Sequence, residues 1–382
     1  PFFALGFRTF FALSGLSALV LMVLWRSIYD GSLVMDNYFA NNSWHAHEML
    51  LGYTVAVIAG FLLTAVKNWT GEQTLTGAGL AGLALLWVYG RVLPFYSGLL
   101  PDELIALVDF LFLPALALSL IKPIKAAQYT RGYLFIALLA IMAAGNAMIH
   151  LDILQWTENT AWTGFQIVIA LIIVMILVIA GRVFPFFTEK GLPGTLPIRN
   201  PLYDGLAIAS AVLVFVLNIM QVSGTMLAIA ASLAAIINIL RVSNWYVFRI
   251  WFVPLLWVLY IGYAWIILGF ILTALSAFAI VLPTLALHAF TMGGIGVITL
   301  GMMARVSLGH TGRVLKASQA MAIAFAMINL AALVRVFVPM LLPNWYADII
   351  YASTLLWLVA FSLFAYVYAP ILTTARVDGK EG

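Results

Sequence analysis

Trp44-His45-Ala46-His47-Glu48-Met49 leads directly into Leu50-Leu51-Gly52-Tyr53-Thr54-Val55-Ala56-Val57-Ile58-Ala59-Gly60-Phe61-Leu62-Leu63-Thr64-Ala65-Val66. The second part carries no charged residue. Joined to the first it reaches the roughly 20 residues an α-helix needs to cross the hydrocarbon core of a bilayer. The first part sets two imidazoles and a carboxylate at the mouth of that helix. The chain has five histidines and no cysteine, so His45 and His47 are a large share of its metal-ligating capacity. Ionisable groups at the edge of a membrane span are functional candidates by default.

Composition extends the membrane reading to the whole chain. Of 382 residues, 65% are hydrophobic and 8% charged, against about 25% charged in a soluble domain. Mean hydropathy is +1.10. The chain reads as an all-α polytopic integral membrane protein in a single transmembrane domain, 1–382. The isoelectric point near 9.2 is accounted for by topology, and no nucleic-acid partner is expected; the surrounding partner is membrane lipid. Without cysteine there is no disulfide, no thiolate metal site and no covalent haem attachment. No cleavable signal peptide is read, because the first apolar run, from Thr9 to Tyr29, follows Arg8 and is long enough to span.

Apolar runs fall near 9–29, 44–66, 75–94, 103–121, 132–151, 162–184, 202–220, 225–241, 251–272, 280–304, 317–339 and 347–370. These predict about twelve spans, the eighth being short and Ala-rich. With both termini on the cytoplasmic side, nearly all Lys and Arg fall in inner segments, from Arg8 and Lys67 to Arg376 and Lys380. Only Arg26, Arg91 and Arg335 lie at outer ends, where Asp30, Asp36, Asp102, Glu103, Asp152, Glu158 and Asp348 are found. That bias is the positive-inside rule. The stretch from Phe186 to Pro201 holds Gly191, Pro193, Gly194, Pro197 and Pro201, and predicts a loop joining halves 1–186 and 201–382. Gly90-Arg91-Val92-Leu93-Pro94-Phe95 echoes Gly181-Arg182-Val183-Phe184-Pro185-Phe186, a short match for an internal repeat.

This layout brings His45, His47, His150 and His288 to the outer half from three helices; His288 approaches the midplane if its helix starts earlier. His310 stands alone on the inner side, between Arg305 and Arg313. Neutral imidazole suits iron, copper and zinc. Residues two apart lie about 200° apart around a helix, so His45 and His47 share one ion only if the helix start is distorted, and otherwise serve neighbouring sites. Glu48 is placed to orient His45, and Asp152 to orient His150. Against this stands the plainer reading of boundary histidines as snorkelling polar groups, with Trp44 in an aromatic belt. Gly293, Gly294 and Gly296 open a helix face, either to a flat macrocycle or to close helix packing. Arg91 and Arg335 are expected to pair with haem propionates, or else with Asp102, Glu103 or Asp348. Asp109, inside the fourth span, is either functional or one half of a structural ion pair.

The strings Pro1-Phe2-Phe3-Ala4-Leu5-Gly6-Phe7-Arg8, Trp44-His45-Ala46-His47-Glu48-Met49, Gly60-Phe61-Leu62-Leu63-Thr64-Ala65 with Asn68-Trp69-Thr70-Gly71, His288-Ala289-Phe290-Thr291-Met292-Gly293-Gly294 and Arg305-Val306-Ser307-Leu308-Gly309-His310-Thr311-Gly312-Arg313 resemble the NnrS family. The resemblance covers nearly the whole chain, and departs from the family at Thr9, where proline is expected. It implies a bacterial inner-membrane protein holding haem b and copper, linked to nitric oxide and to resistance against nitrosative stress. Its motif histidines are His45, His47, His288 and His310; His150 joins them from the layout of the helices. Arg305 falls in the same motifs as a cofactor-binding candidate, with Gly293 and Gly294.

Four outer histidines would just fill a dinuclear haem–copper centre. They would leave none for a second bis-His haem unless one of the 14 Met serves. Binding or slow turnover of nitric oxide therefore fits better than fast proton-pumping chemistry. Whether the chain is an oxidoreductase, and which donor would supply electrons, the residues leave open. The competing expectation is a twelve-helix secondary transporter for a metal or small solute, with the histidines and Asp109 in its pathway.

Overall fold

A computed structural model describes residues 1–34 and 37–379; Asp36 and Lys380, used above for the charge bias, lie outside the described residues. The described chain is helical and holds twelve helices long and apolar enough to cross a membrane. They are α1 (Gly6–Tyr29), α2 (Asn41–Thr70), α3 (Gly77–Tyr96), α4 (Asp102–Ala126), α5 (Thr130–Ile153), α6 (Thr160–Gly191), α7 (Pro201–Ile219), α8 (Thr225–Ser243), α9 (Pro254–Ser276), α10 (Pro283–His310), α11 (Gln319–Leu341) and α12 (Pro343–Thr373). A helix satisfies its own backbone, which is why a chain in lipid takes this form. Large apolar side chains such as Leu16, Leu85, Leu118 and Met226 are exposed, as a surface facing hydrocarbon requires.

Helix boundaries follow local chemistry. Gly71 ends α2 in the left-handed region at φ 74°, where a side chain would be strained. Asn200 caps α7 by accepting from the N–H groups of Leu202 and Tyr203, ahead of Pro201; Ser318 caps α11 through Met321 N. Proline also opens α9 and α10, where its missing N–H costs nothing. The sixth span runs on through Pro185 to Gly191, past the end expected near 184.

The chain forms two compact units. The first comprises 1–171, 306–313 and 365–382; the second comprises 172–305 and 314–364. The Pro/Gly-rich stretch at 186–201 thus belongs to the second unit, and the first is completed by the ends of α10 and α12. In the first unit Arg8, fully buried, donates through Nη1 to the carbonyls of Leu372 (3.0 Å) and Thr374, closing the C-terminal end of α12. There Arg376 donates to the His310 carbonyl at 2.7 Å and pairs with Asp378 at 2.6 Å. Hydrogen bonding to Asp378 raises the Arg376 guanidinium above its ordinary value.

Two spans are interrupted at the same kind of place. In α2 the α-helical turns end at His47, and Glu48–Thr54 forms a π-helix. In α10 they end at His288, and Ala289–Gly296 does the same. A π segment carries an i→i+5 pattern, widens the helix and is frequent at functional sites.

Candidate metal centre

The first unit buries a polar cluster drawn from four helices. His47 and Glu48 sit where α2 turns from α to π. Arg91 comes from α3, Asp109 from α4, and Asn146 and His150 from one face of α5, four residues apart. All six are buried, and His47 has no exposed surface.

Asp109 is the hub. Its Oδ2 lies 3.1 Å from His47 Nε2 and 2.9 Å from His150 Nε2, and accepts from Asn146 Nδ2 at 2.9 Å. Its Oδ1 accepts from Arg91 Nη2. The Arg91 Nε faces Glu48 Oε2 at 2.9 Å, and Nη1 donates to the Leu51 carbonyl at 3.1 Å. The π turn presents that carbonyl, as well as the Gly52 carbonyl that accepts from Trp87 Nε1 at 3.1 Å. Two glycines leave the space this pair needs, Gly90 for Asp109 and Gly52 for Arg91. A Cβ on Gly90 would sit 2.9 Å from Asp109 Oδ1, and one on Gly52 would sit 3.1 Å from Arg91 Cδ.

Each imidazole is oriented through its far nitrogen. His47 Nδ1 faces Glu48 Oε1 at 3.1 Å, and its ring lies 4.2 Å from that of Phe39. His150 Nδ1 is 3.1 Å from Tyr38 Oη. Tyr38 belongs to the loop between α1 and α2, and burial raises its phenol above the ordinary value. A carboxylate oxygen can only accept, so the imidazole proton sits on Nε2 toward Asp109 and Nδ1 accepts from the Tyr38 hydroxyl. Among the described residues, His47, Asp109 and His150 are the group whose ligand atoms all lie within 4.8 Å of one another. Two imidazoles and a carboxylate, with partners behind the rings, is a donor set suited to a transition metal.

The other expected residues are placed differently. His45 stacks on Trp25, with ring centroids 4.3 Å apart and planes at 17°. It leaves the cluster because the start of α2 is regular α-helix and sends positions 45 and 47 apart; the distortion comes after them. Glu48 accordingly pairs with His47 and not with His45. Asp152 accepts from the Ala161 N–H at 3.1 Å, so Tyr38, from a loop, holds the position behind His150. His310, at the other end of the first unit, packs on Phe7 at 5.7 Å and lies 3.3 Å from Asn68 Nδ2.

His288 belongs to the second unit, where its Nδ1 donates to the Thr284 carbonyl at 2.7 Å. The face opened by Gly293 and Gly294 is filled by Trp265 and Ile266, and Trp357 reaches Gly296. Helix packing, not a flat cradle, uses these glycines. Arg335 donates to Tyr346 Oη at 2.8 Å, with Nη1 buried and unpartnered among the described residues. Arg305 lies 3.9 Å over the Phe187 ring.

The fold and the cluster define a polytopic α-helical membrane protein with a buried His/Asp centre in one of its units. The chain matches the family model described as NnrS protein over residues 1–376, and it belongs to the NnrS family. No match is found among curated proteins. Family membership makes it a membrane protein of the nitric oxide response.

Proposed function

We propose that the chain binds copper at His47, Asp109 and His150, binds or slowly turns over nitric oxide there, and protects a bacterial inner membrane against nitrosative stress. The observation that carries this reading is the convergence of two imidazole Nε2 atoms on Asp109 Oδ2 in a fully buried setting. Copper held by His47, Asp109 and His150 would supply Lewis-acid and redox chemistry toward a small neutral ligand. The protein's part is to hold His47 through Glu48 and His150 through Tyr38, and to keep water out with Phe39, which is 2% exposed. With Nε2 of each ring holding the metal, Glu48 and Tyr38 Oη would accept the Nδ1 protons.

Haem b is the second cofactor of this proposal, and the second unit offers it two groups. With its proton on Nδ1, His288 would hold the haem iron through Nε2. Trp265 sits against Gly293 and is bonded to Asn329 Oδ1 at 3.1 Å, so Gly293 and Asn329 share a depth. His288 lies five residues outward of the one and Arg335 six residues outward of the other. Each therefore lies within about two helical turns of that depth. The buried, unpartnered Nη1 of Arg335 suits a carboxylate. The glycine face does not enter this assignment, since side chains fill it.

Metal analysis and optical spectra of the purified protein, before and after addition of nitric oxide, test the reading. Stoichiometric copper lost in His47→Ala and in His150→Ala, with a spectrum that responds to nitric oxide, is the expected result. A well-folded, metal-free protein whose vesicles take up a metal ion would overturn it in favour of a transporter.

A further inference from the structure

Arg91 has no place in a minimal two-His, one-carboxylate metal site, yet it is built into this one. Its Nε, Nη1 and Nη2 reach Glu48 Oε2, the Leu51 carbonyl and Asp109 Oδ1 respectively. Its guanidinium carbon lies 5.8 Å from the Trp87 ring. Gly52 leaves it room, and Gly90 leaves room for the Asp109 it pairs with. Arginine keeps its proton under all ordinary conditions, so this is a permanent positive charge locked against a metal ligand.

The charges of the buried centre can then be added. Glu48 and Asp109 bring two negative charges and Arg91 one positive, which leaves one net negative charge. His47 and His150 add nothing, because a nitrogen that ligates a metal must offer a lone pair. Asp102 and Glu103, at the start of α4, are exposed and so are not counted in the buried charge. A buried, low-dielectric cluster is most stable at zero net charge. One monovalent cation reaches zero; a divalent ion overshoots by one.

Resting on the copper reading above, we infer that Arg91 is the residue that sets the charge of the accepted metal, tuning the centre to a monovalent d¹⁰ ion, Cu(I), and against divalent ions. Without Arg91 the same ligands would carry two net negative charges and match a divalent ion. Selectivity here is a property of a residue that need not touch the metal. It acts through Asp109 and Glu48, as a positioning and charge-setting group.

The experiment uses two redox-inert probes, Ag(I) for the monovalent state and Zn(II) for the divalent. Their affinities are measured by competition titration on the full chain in detergent, for wild type, Arg91→Lys, Arg91→Gln and Glu48→Gln. Arg91→Gln is expected to move the ratio of the two affinities by about tenfold or more toward Zn(II). Glu48→Gln, which removes a negative charge, is expected to move it the opposite way, while Arg91→Lys keeps it within about threefold. An Arg91→Gln protein that binds both ions at the wild-type ratio overturns the inference while leaving the metal centre standing. Should Arg91→Gln fail to fold, Glu48→Gln decides alone: an unmoved or Zn(II)-shifted ratio overturns the inference. Wild type that binds neither ion, or binds them equally well after His47→Ala with His150→Ala, defeats the metal centre itself.

Discussion

At the scale of single residues, the centre depends on what stands behind its ligands. Tyr38 holds His150 through one hydrogen bond of 3.1 Å, and the described residues of its loop form no helix. Removing only the hydroxyl, in Tyr38→Phe, should weaken copper binding by about tenfold or more, as loss of a partner behind a metal-bound histidine commonly does. Competition with a chromophoric chelator reads this directly, and unchanged affinity would show that His150 needs no orientation. Asn146→Ala should act more weakly, since Asp109 Oδ2 keeps both histidines when the amide is gone. Arg91→Ala is the severe case: it strands Glu48 and Asp109 in the interior, at a cost of about 3–5 kcal/mol, and should appear as a large drop in thermal unfolding temperature. His47, Glu48, His150 and Asp109 could all be read in the sequence, because each is an ionisable group in or beside an apolar run. Tyr38 could not, since nothing in a tyrosine between two spans says which histidine it will meet.

Elements decide which of those legible residues meet. A spacing of two in α2 separates His45 from His47, and the π-helix beginning at Glu48 turns the Leu51 carbonyl toward Arg91. Neither the π turn nor the glycine gaps have a sequence signature strong enough to predict, because they are responses to packing. The hexapeptide echo takes on physical content at this scale. Gly90 faces Asp109, and Gly181 faces Arg241 and Asp204, each glycine making room at an Arg–Asp pair, the first buried and the second with Asp204 half-buried. Gly90→Ala should therefore overpack, destabilising by about 1–3 kcal/mol and displacing the Asp109 carboxylate so that metal binding falls. Gly82→Ala is the control on the same helix: no atom lies within 4 Å of its Cβ, and alanine there should be neutral or stabilising by about 0.5–1 kcal/mol. Equal effects at the two positions, in thermal unfolding and in metal titration, would sink the packing argument. Gly293 teaches the converse lesson. A glycine-lined face in the sequence predicts close approach but not the partner, and here the partner is Trp265.

For the whole molecule, twelve apolar runs and a one-sided charge bias made the fold legible, because both are consequences of the bilayer and not of packing detail. The three arginines that broke the bias each found a local partner: Arg26 pairs with Asp30 at 2.6 Å, Arg91 with Glu48 and Asp109, and Arg335 with Tyr346. They left the rule because something nearby holds them, so an exception to topology was also a pointer to a site. The division into two compact units is different in kind. It depends on which helix faces interlock, and the most conspicuous loop, at 186–201, does not mark it. Orientation in the membrane still follows from charge alone, and the chain is well suited to testing it, since it has no cysteine of its own. Single cysteines at Ser97 and at Gln155, in the short connections after α3 and α5, should react with a membrane-impermeant maleimide on intact cells. Cysteines at Gln128 and at Ala317, after α4 and α10, should react only once the membrane is opened. That pattern would set the His47–Asp109–His150 centre toward the outer face, close to the ends of α3 and α5 and the starts of α2 and α4. The reverse pattern would turn the centre toward the cytoplasm. It would also break the charge argument on which the cytoplasmic termini rest, while leaving the helix count intact; labelling of neighbouring connections from the same side would break the count as well.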